Sequence, residues 1–247
     1  MNIADLLGLL FAAGFAALIL GFAAALRRQP WRPQRPIPAF ARLRRAVGLS
    51  VEAGQRLHLT LGRGTLIGEH GPIAFVGLRM LERISGWTSF SDHPPVATSG
   101  DAGLAILSQD TLRSASRSLG AEFEPARAQL TGLTPFSYAA GALLTVQDQD
   151  VGATMLVGSF GVEAALLAEA GGRSGNLTLA GTDRLSGQAV LYTSADEPLI
   201  GEETFAGGAY LGAGPTHTAS LMAQDVLRWV IILVIVIGAL LKLAGFL

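Results

Sequence analysis

The sequence contains no cysteine, one lysine and few charges, since only 15% of its 247 residues are Asp, Glu, Lys or Arg. The absence of cysteine excludes disulfide frameworks, thiolate metal sites and cysteine nucleophiles. A soluble domain of ordinary composition carries about 25% charged residues, so this chain must hold long uncharged stretches. Half of its residues are hydrophobic, which excludes a disordered or nucleic-acid-coating protein.

The first uncharged stretch runs from Leu6 to Leu26 and has 21 residues. A helix of that length covers roughly 30 Å, the thickness of the hydrocarbon core of a bilayer, and we predict a transmembrane helix over 1–26. A cleaved signal peptide is the alternative, because the three alanines at 23–25 resemble a cleavage site. Asp5 before the core and the arginines directly after it favour an uncleaved anchor.

The second uncharged stretch is WVIILVIVIGALLKLAGFL, from Trp229 to Leu247, interrupted only by Lys242. Lys242 lies near enough to the end of the stretch to reach a headgroup layer. We predict a second transmembrane helix over 225–247, continuous with a helix that begins near Pro215.

Basic residues predict the orientation of these two helices. The segment 27–45 holds seven arginines and no acidic residue, and positive charge is retained on the cytoplasmic side. We therefore expect a bacterial inner-membrane protein with both termini outside and the main domain in the cytoplasm. The predicted membrane-interface residues are Arg27, Arg28, Trp31, Arg32, Arg35, Arg228, Trp229 and Lys242.

Small residues recur every four positions in the first span, at Ala13, Ala17, Gly21 and Ala25. Such a stripe lets another helix approach closely, although alanine and glycine are also common throughout this chain. The expected partners are the lipid bilayer and a second copy of the chain or a subunit of a membrane complex.

The part between the spans divides into a linker and a domain. Prolines at intervals of three, with arginines between them, predict a stiff basic linker over 27–45. The segment 46–224 has 17 acidic residues against nine arginines, so its net charge is −8. An acidic domain argues against nucleic acid as a partner.

Hydropathy patterns in 46–224 alternate between strand and helix. We predict strands over 56–62, 95–99, 137–147, 152–158 and 176–180, and helices over 72–84, 100–119, 162–170 and 186–194. This alternation predicts an α/β layered, Rossmann-like domain with a largely parallel sheet.

Turns that follow the predicted strands are the candidate ligand-binding positions. They contribute Gly62, Gly64, Ser99, Asp101 and Ser159. The signal is weak, because Gly62-Arg63-Gly64 and Gly68 miss the spacing of the dinucleotide fingerprint. Ser159 lacks the spacing of a nucleophile elbow and is interpreted as a helix cap.

No other catalytic or metal-binding pattern is present. The four histidines are scattered without the spacing of metal ligands, and the adjacent pair Asp92-His93 before two prolines is interpreted as a turn. We predict no catalytic residue, no metal and no cofactor.

Three stretches, HPPVATSGDAGLAILSQDTLRSA, GSFGVEAALLAEAG and VLYTSADEPLIGEETFAGGAYL, resemble a family of bacterial membrane proteins known as a domain of unknown function. The resemblance implies no activity and no site residue. Two hypotheses follow from the residues: a membrane-anchored scaffold whose domain assembles with copies of itself or a membrane complex, or a tethered small-ligand or nucleotide-binding sensor or enzyme. We expect the scaffold rather than an enzyme.

Overall fold

A computed structural model describes residues 2–28, 35–88, 91–118, 120, 122–148 and 150–245 of the chain. The chain separates into two compact units. One unit contains both ends of the chain, residues 1–34 and 212–247, and the other contains residues 35–211. The basic segment predicted as a linker over 27–45 is thus divided between the two units.

Two long helices, α1 (Ile3–Arg28) and α10 (Pro215–Leu243), form the first unit and pack against each other. Both are long and apolar enough to cross a membrane, and hardly any of their apolar residues are buried inside the protein. A helix at the core of a soluble protein would be mostly buried. The prediction that one helix continues from Pro215 into the second apolar stretch is confirmed.

The second unit alternates strands and helices along the chain. Its helices are α2 (Pro38–Glu52), α3 (Gly71–Trp87), α4 (Ala102–Ser118), α5 (Pro135–Asp148), α6 (Ala164–Arg173), α7 (Leu185–Ser194), α8 (Glu202–Phe205) and α9 (Gly207–Tyr210). Its strands are β1 (Arg56–Gly62), β2 (Val96–Ser99), β3 (Ala128–Leu130), β4 (Val151–Ser159), β5 (Leu177–Thr182) and β6 (Glu197–Leu199).

The six strands form one parallel sheet in the order β3-β2-β1-β4-β5-β6. Crossover helices link the strands, as parallel pairing requires. In the register of the central strands, His58 of β1 lies opposite Thr154 of β4, which in turn lies opposite Thr178 of β5. The prediction of an α/β domain with a largely parallel sheet is confirmed.

Helices cover both faces of the sheet, and each face has its own apolar core. Alternate residues of β1 (Leu57, Leu59 and Leu61) pack with α2, α3 and α4 on one face. On the other face, Leu156 and Phe160 pack with α5, α6 and α7. Both faces of β1 are buried although the strand alternates apolar and polar residues, so His58 and Thr60 lie inside the protein on the second face.

Two segments differ from their predicted structure. Residues 137–147 were predicted as a strand, but they lie in helix α5. Its buried residues Tyr138, Ala139, Ala142 and Val146 have helical spacing, and Pro135 occupies the first turn, where a helix tolerates proline. Helix α2 lies partly within the predicted linker, and its buried Phe40, Leu43 and Val47 join the core of the domain.

Candidate functional site

The three predicted ligand-binding turns lie side by side at the carboxyl edge of the sheet. The Gly100 N–H donates to the Gly62 carbonyl oxygen at 2.9 Å, and the Arg63 N–H donates to the Ser159 carbonyl oxygen at 3.1 Å. Gly64 lies above Ser159, since a Cβ added to Gly64 would lie 3.0 Å from the Ser159 Cβ. The structure thus brings the candidate residues together around the ends of β1, β2 and β4.

Gly62 is required where β1 ends. Its φ is +71°, and an added Cβ would lie 2.6 Å from the carbonyl oxygen of Ser159. A side chain would therefore meet both a left-handed backbone and a direct clash with β4. This glycine allows the two central strands to stay close at their carboxyl ends.

Oxygen atoms of the chain itself accept hydrogen bonds from three backbone N–H groups at this edge. The Gly62 N–H donates to the Tyr138 hydroxyl at 3.1 Å, and the Gly161 N–H donates to Glu163 Oε1 at 3.0 Å. The Leu104 N–H donates to Asp101 Oδ1 at 3.0 Å, so Asp101 caps helix α4. A phosphate held by a glycine-rich turn would use donors of this kind, and here they already have partners.

A cluster of four polar side chains extends from Ser159 across the edge. Arg184 Nε donates to Ser159 Oγ at 2.9 Å, and Arg184 Nη2 lies 3.2 Å from His70 Nε2. His70 Nδ1 lies 2.6 Å from Asp183 Oδ2. Ser159 ends β4, Asp183 and Arg184 follow β5, and His70 precedes α3, so the cluster lies between β1, β4 and β5.

The geometry of the cluster assigns the tautomer of His70. Its Nε2 accepts from the arginine, which has only donors, and its Nδ1 then donates to the carboxylate of Asp183. Arginine, and not histidine, contacts the hydroxyl of Ser159, and arginine does not accept a proton in this role. The cluster therefore has no general base for the serine. What it offers a ligand is the guanidinium of Arg184, which Ser159 and His70 hold in one orientation at the edge.

Sequence reasoning missed most of this cluster. Ser159 is not a helix cap as expected, because α6 begins only at Ala164 and the hydroxyl of Ser159 accepts from Arg184. His70 and Asp183 are 113 residues apart, so no local spacing links them. The sequence feature that could have indicated the cluster is the charged pair Asp183-Arg184, directly after a buried strand.

Buried polar groups lie beneath the turns, on the face of the sheet that α5 covers. Tyr138 bonds Thr60, and burial raises the pKa of Tyr138 to about 12. His58 Nε2 lies 2.8 Å from Thr98 Oγ1, and burial lowers the pKa of His58 to about 3. Both side chains are therefore neutral at physiological pH.

Ser99 and Asp101 also belong to this edge, at and directly after the end of β2, and the remaining predicted residues are those of the membrane interface and of the small-residue stripe. Ser99 Oγ lies 3.4 Å from the carbonyl oxygen of Asp101, and Arg35 Nη2 lies 2.9 Å from Glu203 Oε1 in the domain unit. The exposed predicted interface residues of the two long helices are Arg27, Arg28, Arg228, Trp229 and Lys242. Trp31 and Arg32 lie outside the described residues. Within the part of the chain that the structure describes, no group of three or more His, Asp or Glu side chains could hold a metal ion.

Comparison with known proteins places the chain in a family. No curated protein and no solved structure matches it. A family model described as "Domain of unknown function (DUF6754)" matches residues 1–246, almost the whole sequence. The chain therefore belongs to the DUF6754 family.

Proposed function

We propose that the chain is a bacterial inner-membrane protein with two spans and a cytoplasmic α/β domain. The length, apolarity and exposure of α1 and α10 support the spans. Arg27 and Arg28 at the end of α1 support a cytoplasmic domain, because basic residues resist translocation. Two spans would place both termini on the outer side.

The cysteine-free sequence allows a direct test of this topology. Single variants Asn2→Cys and Glu122→Cys would be treated in intact cells with a maleimide that cannot cross the inner membrane but does reach the periplasm. The proposal expects labelling at position 2 only, and labelling at 122 only after the cells are opened. Labelling at 122 in intact cells would contradict it.

We propose that this protein acts as a scaffold that assembles through α1. The supporting observation is the position of the small-residue stripe. Residues of α1 that are less exposed, Phe15, Leu18, Ile19, Phe22, Ala23 and Leu26, lie on one face. The stripe of Ala13, Ala17, Gly21 and Ala25 is exposed on the opposite face. A second helix can approach closely there.

Disulfide crosslinking in membranes tests the scaffold. Ala17 lies on the stripe, whereas Ala16 is equally small and exposed but lies about 100° around the helix. Ala17→Cys is expected to form a covalent dimer on mild oxidation, and Ala16→Cys is the matched control. Equal crosslinking of both variants, or of neither, would exclude assembly through the stripe.

A sensor that binds a small anionic ligand is the second candidate. Its support is the strand order, which matches that of Rossmann-like domains; in those domains a ligand binds outside the carboxyl ends of the strands where the order reverses, which correspond to β1 and β4 here. Arg184 is exposed and bonds Ser159 at the end of β4. Nucleotides and dinucleotides should then raise the unfolding temperature of the wild type but not of Arg184→Gln, with Arg173→Gln as the control on a distant helix end.

A further inference from the structure

A cavity lies away from the carboxyl edge of the sheet, at the opposite end of helices α3 and α4. It has a volume of about 180 Å³, room for roughly six water molecules. The C-terminal halves of both helices, the turn before β2 and the short 3-10 helix Pro125–Arg127 form its walls. Its polar lining residues are Ser85, Thr88, Ser91, Asp92, Ser116 and Arg127.

Arg127 gives this cavity a partly buried cation, with 16% of its side chain exposed. Its Nε atom is inaccessible to solvent and has no hydrogen-bond partner among the described residues, and Glu124 Oε2 is 3.9 Å away. Burial lowers the pKa of Arg127, an effect that Glu124 opposes and Arg56 adds to. A guanidinium has five N–H donors, and those of Arg127 that line the cavity can donate to an oxygen atom from outside the chain.

The remaining polar groups of the cavity favour a positively charged group on a ligand. The hydroxyls of Ser85 and Thr88 donate to the carbonyl oxygens of Leu81 and Ile84, so their free lone pairs can only accept. The C-terminal ends of two helices carry partial negative charge. Asp92 lies exposed among the lining residues and adds a carboxylate.

We propose that this cavity binds a small zwitterion of the amino-acid class. The ligand's carboxylate accepts from Arg127, and its ammonium group faces Asp92 and the ends of α3 and α4. This arrangement gives the guanidinium N–H groups that line the cavity, and the acceptors, their partners in one compact molecule. The site is independent of the carboxyl edge of the sheet and of the proposed scaffold.

Three compounds of similar size test the carboxylate contact and the ammonium contact separately. Glycine carries both charged groups, glycolate has a hydroxyl in place of the ammonium, and ethanolamine lacks the carboxylate. With the full-length protein in detergent, isothermal titration calorimetry should detect glycine at millimolar concentration or below. Binding of glycolate and ethanolamine should be at least about tenfold weaker, because each loses one charge-assisted contact. Equal binding of glycine and glycolate, or no binding of glycine, would overturn the proposal.

Two substitutions connect the binding to the named residues. Arg127→Gln should abolish glycine binding. Asp92→Asn, on an exposed turn, should weaken glycine binding and leave that of glycolate unchanged. Glu69→Gln, on an exposed loop elsewhere, serves as the control. If Arg127→Gln does not fold, Asp92→Asn alone decides, since unchanged glycine binding by this variant would refute the proposed orientation.

Discussion

At the scale of single residues, His58 makes the stability of the domain depend on pH. Its folded-state pKa of about 3 lies below the ordinary value of 6.5, so between these values the unfolded chain binds a proton that the folded chain does not. The contribution of His58 to the free energy of unfolding is therefore fully present above pH 6.5. It falls as the pH decreases, by up to about 1.4 kcal/mol per pH unit.

Denaturation of the full-length protein in detergent between pH 5 and 7.5 checks this prediction. His58→Gln removes the titrating ring, so its free energy of unfolding should depend less on pH than that of the wild type. His93→Gln, on an exposed turn, should retain the wild-type slope. Identical slopes for the wild type and His58→Gln would contradict the prediction.

A second residue-scale prediction concerns buried hydroxyls on the same face of the sheet. Thr154 Oγ1 is buried without a hydrogen-bond partner among the residues that the structure describes, whereas Thr60 Oγ1 bonds the hydroxyl of Tyr138. Thr154→Val should raise the free energy of unfolding by about 1 kcal/mol, and Thr60→Val should lower it by a similar amount. A loss of stability in Thr154→Val would show that its hydroxyl has a partner, such as a buried water.

At the scale of secondary-structure elements, the junction of β1 and β4 depends on Gly62. Gly62 and Gly175 have nearly the same φ, +71° and +73°, but only Gly62 would bring an added Cβ against another strand. Gly175→Ala should cost about 1 kcal/mol from backbone strain alone. Gly62→Ala should cost at least about 2 kcal/mol more, and equal losses in urea denaturation would refute the close approach.

Helix α2 is fixed to the sheet by Arg42, which pairs with the largely buried Glu197 on β6. Arg42→Ala would leave that carboxylate without its cation and should cost about 1 to 3 kcal/mol, because the arginine itself is largely exposed. Arg45→Ala, exposed on the same helix, should change the stability by less than about 0.5 kcal/mol. Equal effects in thermal unfolding would show that the pair contributes nothing.

Elements were predictable where local pattern decides the structure. Strict alternation over 56–62 predicted β1 with its exact bounds. The apolar run over 137–147 fits either a strand or a buried helix, and only packing against both β4 and α6 decides for α5. The cluster of His70, Asp183 and Arg184 was beyond prediction for a related reason, since it exists only after three strands have been brought side by side.

At the scale of the whole molecule, the acidic domain and the apolar helices should be separable. The two main apolar cores lie entirely within residues 35–211, and this segment has 13 arginines against 17 acidic residues. We therefore predict that a fragment of residues 35–211 folds in water without detergent. Circular dichroism and a cooperative thermal transition would check this, and an aggregated or unfolded fragment would contradict it.

The same fragment separates the two routes by which the protein could assemble. If assembly depends on the stripe of α1, the fragment sediments as a monomer while the full-length protein in detergent is oligomeric. Ala17→Leu should then reduce the full-length protein to a monomer, because a bulky residue blocks close helix approach, and Ala16→Leu should not. A fragment that forms the same oligomer as the full-length protein would assign assembly to the domain and leave the two helices as anchors.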